Sequence, residues 1–152
     1  EFYITDLVFT DEAMEVTEPA VAHLLFSGNV NVAKIESNNG GRGFARNVER
    51  IIKEKLGSNK TVIESIPQTK NKESRILASS AWVQNHVYMP PGWKTRFPEF
   101  YKQVMNYQKK GKNAHDDAPD VLASIYENID NDRRPTWFSD DSASRQDRAI
   151  SF

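Results

Sequence analysis

The feature that most constrains the fold of this chain is the alternation of strand-like and helix-like patterns along residues 1–128. Residues 2–10, 30–37 and 60–66 are short segments rich in β-branched or aromatic residues, which is typical of strands. Apolar residues at helical spacing mark residues 17–28, 42–57, 72–85, 97–108 and a segment that starts at His115. Strands that alternate with helices pair in parallel through helical crossovers. The sequence therefore predicts an α/β fold with a largely parallel sheet.

Composition narrows the class of protein further. The 152 residues carry a net charge of −1 and are 38% hydrophobic, which suits one globular domain with a buried core. The chain has no cysteine, so neither disulfides nor thiolate metal sites are available to it. Because the net charge is nearly zero, nucleic acid would have to bind at local basic patches. No apolar run approaches the roughly 20 residues of a membrane span, so we expect an intracellular soluble protein without a membrane partner.

The alternating pattern ends before the chain does. Residues 129–152 are polar and show no sustained period. We therefore predict a domain over residues 1–128, followed by a polar tail or linker over 129–152. The chain also opens directly on a strand pattern without an initiator methionine, and we expect it to be a piece of a longer protein.

Acidic residues stand at two positions that α/β proteins use for ligands. Glu36 ends a predicted strand and precedes the glycine-rich turn 38–41, and ligands of α/β sheets bind beyond the carboxyl ends of strands. Asp117 and Asp120 are three residues apart at the start of a predicted helix, so their side chains share a face. Asp116 is four residues before Asp120 and can share that face too.

Two interpretations of these carboxylates remain open on spacing alone. An aspartate at a helix start is a favoured cap, and its charge stabilises the helix by roughly 0.3–1 kcal/mol. Alternatively, oxygen ligands brought together select hard cations such as Mg²⁺ or Mn²⁺. Two such ions about 3.5–4 Å apart activate a water molecule and stabilise the leaving oxygen of a phosphodiester.

Three stretches of the sequence resemble one known family. They are EFYITDLVFTDEAMEVTEPAVAHLL at 1–25, AKIESNNGGRGFARNV at 33–48 and PPGWKTRFPEFYKQVMNYQKKGKNAHDDAPDVLA at 90–123. In this order they resemble the C-terminal nuclease domain of tailed-phage terminase large subunits, the DNA-packaging motor proteins. The resemblance covers roughly residues 1–128. It implies a ribonuclease-H-like mixed sheet flanked by helices, and cleavage of concatemeric double-stranded viral DNA with two Mg²⁺ or Mn²⁺ ions.

The resemblance also implies site residues. Glu36 matches the acidic residue before the glycine turn, and Asp117 and Asp120 match the acidic positions of the last motif. These three are the expected catalytic residues and metal ligands, and Asp116 is an additional expected ligand. In the family a further strand carries the first catalytic aspartate, and that strand has no counterpart here, because residues 3–9 look like the third strand of the sheet. We therefore expect low activity from this chain, and Asp6 is expected to be a solvent-facing strand residue.

Basic residues flank the predicted acidic site and are candidates for contacts with DNA phosphates. They are Arg42, Arg46, Lys70, Lys72, Arg75, Lys109, Lys110 and Lys112. The resemblance further implies an ATPase domain in the full-length protein, a portal protein and a small terminase subunit as partners, and a location in the host cell cytoplasm. Two alternatives stay open: a Holliday-junction-resolvase-like nuclease, and a non-catalytic piece that docks on DNA or on the portal.

Overall fold

The computed structural model describes residues 1–108, 113 and 115–133, and the side chains of the last helix up to residue 129. In chain order the described elements are β1 (Phe2–Tyr3), α1 (Met14–Ser27), β2 (Val32–Glu36), α2 (Gly41–Arg50) with a π-helical continuation (Ile51–Lys55), β3 (Val62–Ile66), α3 (Lys72–His86), β4 (Val87–Tyr88), α4 (Trp93–Arg96), α5 (Pro98–Asn106) and α6 (Asp117–Arg133). Among the described helices, none combines the length and the apolarity that a bilayer crossing requires.

The described strands pair in parallel, as the alternating pattern predicts, and the chain is an α/β protein. Strand β2 pairs with β3 along its whole length, from Val32 opposite Val62 to Glu36 opposite Ile66. Strand β1 pairs with β4. The described part of the chain thus contains two separate two-stranded sheets, where the sequence predicted a single one.

The first strand is much shorter than the predicted segment 2–10. Strand β1 ends at Tyr3, and the last ladder bond runs from the amide of Ile4 to the carbonyl of Tyr88 at 2.9 Å. Its partner β4 stops there because prolines follow at positions 90 and 91, and proline has no amide hydrogen to donate. Asp6 is exposed as predicted, but it lies in a loop, 3.6 Å from the guanidinium of Arg96.

Helix α1 begins at Met14, three residues before the predicted segment 17–28. Pro19 therefore lies inside the helix. Proline at this position removes one backbone hydrogen bond, and its ring crowds the carbonyl group four residues earlier. The first turn is held instead by the amides of Val16 and Thr17, which both donate to the carbonyl of Ala13 at 3.0 Å.

Two hydrophobic clusters form the core. In the first, Ala22 of α1 packs with Val48, Ile51 and Ile52, and Ile63 of β3 closes it from the sheet side. The second lies around helices α5 and α6 and is built on Phe100, Ala118 and Leu122. Helix α6 packs chiefly against α3 and α5. Because α6 belongs to the second cluster and β2–β3 to the first, a cleft is left between them.

The last helix continues beyond the predicted start of the tail. Helix α6 runs through Arg133, five residues past the predicted end of the domain at residue 128. The rest of the predicted tail, residues 134–152, lies outside the described residues.

Candidate metal and nucleic-acid site

The turn after β2 brings the start of α2 against the end of the strand. Asn39 and Gly40 have positive φ angles of 48° and 90°, and the amide of Gly41 donates to the carbonyl of Asn38 at 2.9 Å. A Cβ atom on Gly41 would overlap the carbonyl oxygen of Glu36. The glycine pair therefore serves both as a turn and as a point of close backbone approach. It leaves the Glu36 side chain exposed at the carboxyl end of β2.

The three predicted catalytic carboxylates line one cleft. This cleft has a volume of about 460 Å³ and lies between α6 and the carboxyl ends of β2 and β3. Glu36 lines it from the strand side, and Asp117 and Asp120 line it from the first turn of α6. Ligands of parallel α/β sheets bind at such an edge, which agrees with the place predicted from the sequence.

Glu127 is a fourth carboxylate in the cleft that the sequence analysis missed. It follows Asp120 by seven residues, so two helical turns place both side chains on one face of α6. That spacing was the available signal, but the helical segment around residue 127 was interpreted only by its apolar face. The side chain of Glu127 is largely buried, and it accepts hydrogen bonds from Gln68 Nε2 at 2.9 Å and from Lys70 Nζ at 3.1 Å.

A lysine neutralises the aspartates at the start of α6. Lys72 Nζ lies 2.7 Å from Asp117 Oδ1, 3.1 Å from Asp116 Oδ1 and 3.9 Å from Asp120 Oδ2. Partial burial lowers the pKa of Lys72, but hydrogen bonds to Asp117 and Asp116 outweigh this effect, and the pKa is raised above its usual value. Lys72 is therefore a cation throughout the physiological range.

Arg75 is a correction to the predicted set of DNA-binding residues. Its side chain is only 3% exposed and pairs with Asp120, while its Nη1 lies 3.7 Å from Glu127 Oε2. Within the described structure, its Nε and Nη1 atoms have no hydrogen-bond partner. The sequence groups Arg75 with Lys70 and Lys72, but the period of α3 turns it toward α6, where a phosphate cannot reach it.

A polar bridge connects the two walls of the cleft. The amide nitrogen Nδ2 of Asn38 donates to the carbonyl of Gln68 at 2.5 Å, and the Gln68 backbone amide donates back to Asn38 Oδ1 at 3.4 Å. Gln68 in turn donates to Glu127 of α6. Glu36 lies two residues before Asn38. The bridge therefore fixes the position of the cleft wall that carries Glu36 relative to the aspartates of α6.

Of the other predicted DNA-binding residues, Lys70 lines the cleft and belongs to this network, whereas the rest lie outside it or outside the described structure. Arg42 and Arg46 are exposed on α2 and do not line the cleft. Lys70 is exposed and pairs with Glu127. Lys109, Lys110 and Lys112 lie outside the described residues.

A second cavity of about 970 Å³ lies on the other side of the start of α6. Its walls include Asp11, Glu99 and His115, and Asp117 borders both cavities. Of the predicted catalytic residues it contains Asp117 alone. The smaller cleft is therefore the better candidate site, although the other cavity is larger.

The donor atoms of the smaller cleft fit a hard divalent cation, because Glu36, Asp117 and Asp120 all offer carboxylate oxygens. The arrangement of these carboxylates fits a bound divalent cation less well than their chemistry does. Across the part of the chain that the structure describes, no three acidic or histidine side chains are gathered closely enough to hold one ion. The cations that occupy the aspartates are Lys72 and Arg75.

Comparison with known proteins adds no relative to this description. No family model matches the chain, and neither a curated protein nor a solved structure matches it. The α/β class follows from the parallel strands and the helices between them. Any functional assignment therefore depends on the chemistry of the cleft and on the resemblance of the sequence motifs.

Proposed function

We propose that this chain is the nuclease domain of a terminase large subunit, with a ribonuclease-H-like fold, and that it cuts concatemeric double-stranded DNA with Mg²⁺ or Mn²⁺. The observation that carries the proposal is that Glu36, Asp117 and Asp120 line a single cleft. Glu36 lies 81 and 84 positions before Asp117 and Asp120 in the sequence, and these three are the carboxylates that the two motifs single out. Capping of α6 alone gives no reason for Glu36 to lie opposite its first turn.

In this proposal three carboxylates of the cleft, Glu36, Asp117 and Asp120, are metal ligands. Within the described structure Glu36 makes no side-chain hydrogen bond or ion pair, so its oxygens are available to a cation. Asp117 is 69% exposed and Asp120 14% exposed, and both border the cleft. Asp116 is the additional ligand; it precedes Asp117 in sequence but does not itself line the cleft. Two bound ions would activate water and stabilise the leaving oxygen of the phosphodiester.

DNA would be held by its phosphates. Arg42 and Arg46 are exposed on α2, which begins directly after the turn that follows Glu36. The start of α2 also carries the positive end of the helix dipole, which attracts a phosphate. The proposed partners are double-stranded DNA and, in the full-length protein, an ATPase domain, the portal protein and the small terminase subunit, in the host cell cytoplasm.

The test is nicking of supercoiled plasmid by this chain at high protein concentration with Mn²⁺. We expect slow nicking that disappears in Glu36→Gln and in Asp117→Asn, because each removes a ligand charge without breaking a buried ion pair. Glu64→Gln is the matched control, since Glu64 is an exposed carboxylate on the adjacent strand β3 that does not line the cleft. Nicking that persists in all three variants would contradict the proposal.

A second candidate is a non-catalytic piece that docks on DNA or on the portal. It is favoured by one observation, the neutralisation of all three aspartates by Lys72 and Arg75. The same plasmid distinguishes the two candidates in a gel-shift assay. Retention of the plasmid without any Mn²⁺-dependent nicking favours the docking piece.

A further inference from the structure

The turn between β2 and α2 contains the one Asn–Gly pair of the sequence, Asn39–Gly40. Asparagine is a thermolabile residue. The main-chain nitrogen of the next residue attacks its side-chain amide, and a glycine leaves this attack unhindered because it has no Cβ atom. Both residues of the pair are exposed, and both have positive φ angles, 48° for Asn39 and 90° for Gly40. The pair is therefore open to solvent and to hydroxide.

The reactive groups of this pair are not engaged elsewhere. Within the described structure, the Asn39 side chain makes no hydrogen bond, and the main-chain amide of Gly40 donates none. The neighbouring Asn38 differs, because its side-chain nitrogen donates to the carbonyl of Gln68 and its side-chain oxygen accepts from the Gln68 amide. Of the two consecutive asparagines, Asn39 is therefore the one whose side-chain amide is available to a nucleophile.

We propose that Asn39 is a site of spontaneous deamidation, with water as the co-reactant. The Gly40 nitrogen, after losing its proton to hydroxide, attacks the side-chain carbonyl carbon of Asn39 and forms a new carbon–nitrogen bond. The bond from that carbon to the side-chain nitrogen breaks, and ammonia leaves with a proton taken from water, which regenerates hydroxide. Water then opens the resulting succinimide ring at either carbonyl and gives aspartate or isoaspartate. This site goes beyond the proposed function and does not rest on it.

Deamidation at this position acts on the wall of the cleft that carries Glu36. Isoaspartate inserts an additional carbon atom into the main chain between Asn38, which holds Gln68, and Gly41. Gly41 in turn packs against the carbonyl of Glu36, so the longer main chain must shift at least one of these contacts. Aspartate only adds a negative charge, and the start of a helix favours such a charge. We therefore expect the isoaspartyl product, and not the aspartyl product, to loosen this wall.

The first experiment ages the folded wild type at mildly alkaline pH and follows its asparagines by tryptic digestion and mass spectrometry, with an unaged sample digested in parallel. Trypsin releases residues 35–42, which contain Asn39, and residues 56–60, which contain the matched control Asn59. Asn59 is also exposed, but Lys60 follows it, and the Lys60 amide donates to Ser58 Oγ at 3.3 Å. We expect Asn39 to deamidate about tenfold faster than Asn59, which corresponds to an activation free energy about 1.4 kcal/mol lower. Equal rates at the two sites, or deamidation of Asn39 only after denaturation in urea, would overturn the inference.

The second experiment measures amide hydrogen exchange at the cleft wall for each product. Ion exchange separates the isoaspartyl form from the aged protein, and Asn39→Asp supplies the aspartyl form. We expect the amides of Gly41 and Gln68 to exchange severalfold faster in the isoaspartyl form than in the wild type, because both amides donate to Asn38. In Asn39→Asp they should exchange as in the wild type. Unchanged exchange in the isoaspartyl form overturns the effect on the wall, and aged protein without any isoaspartyl form overturns the deamidation site itself.

Discussion

Among single residues, Gly41 has the most direct influence on the position of a candidate ligand. Its missing side chain allows the first turn of α2 to approach the carbonyl of Glu36. The neighbouring Gly40 is in the left-handed region, which favours glycine for a different reason. The two glycines therefore have separate tasks, one conformational and one steric.

We expect Gly41→Ala to destabilise the protein by about 1–3 kcal/mol, because the new methyl group overlaps the Glu36 carbonyl and the backbone must shift. Gly43→Ala is the matched control in the same helix, where nothing lies within 4 Å of an added Cβ. It should stabilise by about 0.5–1 kcal/mol through helix propensity. Urea denaturation measures the change in the free energy of unfolding for both variants. Equal changes in the two variants would refute the steric argument.

At the scale of elements, the contact between α3 and α6 decides the state of the aspartates. The two helices face each other with Lys72 and Arg75 on one side and the acidic residues of α6 on the other. Asp120 and Glu127 lie two turns apart, and the buried Arg75 contacts both. The interface thus combines an exposed ion pair with a buried one.

Arg75→Met should therefore cost about 3 kcal/mol, because breaking a buried ion pair leaves uncompensated carboxylates. Arg50→Met is the control, since Arg50 pairs with Glu54 at 3.6 Å on an exposed helix face. Such a pair contributes about 0.3–0.5 kcal/mol, so the control should change little. Chemical denaturation measures both free energies of unfolding. A similar loss in the two variants would show that the Arg75 pair is no stronger than a surface one.

At the scale of the whole molecule, the described structure consists of two hydrophobic clusters with a cleft between them. The first cluster joins α1 and α2 to β2–β3, and the second joins α3, α5 and α6 to the loop after β1. The contacts across the cleft are polar and run through Asn38, Gln68 and Glu127. Polar contacts hold the walls in register but couple the clusters weakly, since each hydrogen bond contributes only about 0.5–1.5 kcal/mol.

This weak coupling predicts separable unfolding. Ile52 is fully buried in the first cluster, and Ile52→Ala should destabilise that cluster by about 2–5 kcal/mol. Trp82 and Trp93 lie in α3 and α4, away from it, and a Trp137→Phe background leaves these two as the tryptophans that report. We expect the melting midpoint by far-ultraviolet circular dichroism to fall further than the midpoint by tryptophan fluorescence. Coincident transitions would mean that the two clusters unfold as one cooperative unit.

What the sequence by itself determined is local. Hydrophobic periodicity and turn residues located most helices and strands, and their alternation predicted the parallel pairing of β2 with β3. The glycine turn and the aspartates at the start of α6 also identified the carboxylates that are candidate metal ligands. The predicted length of β1 was wrong. The length of this strand depends on its distant partner β4, which ends where two prolines follow.

Only the tertiary structure decided which charged residues meet. It buried Arg75, added Glu127 to the cleft and put Lys72 between the aspartates. A sequence pattern specifies the face of a helix on which a charge lies, but the partner comes from another element 44 or 45 residues away. The energy of an ion pair depends on that partner and on burial, and both exist only once α3 has packed against α6.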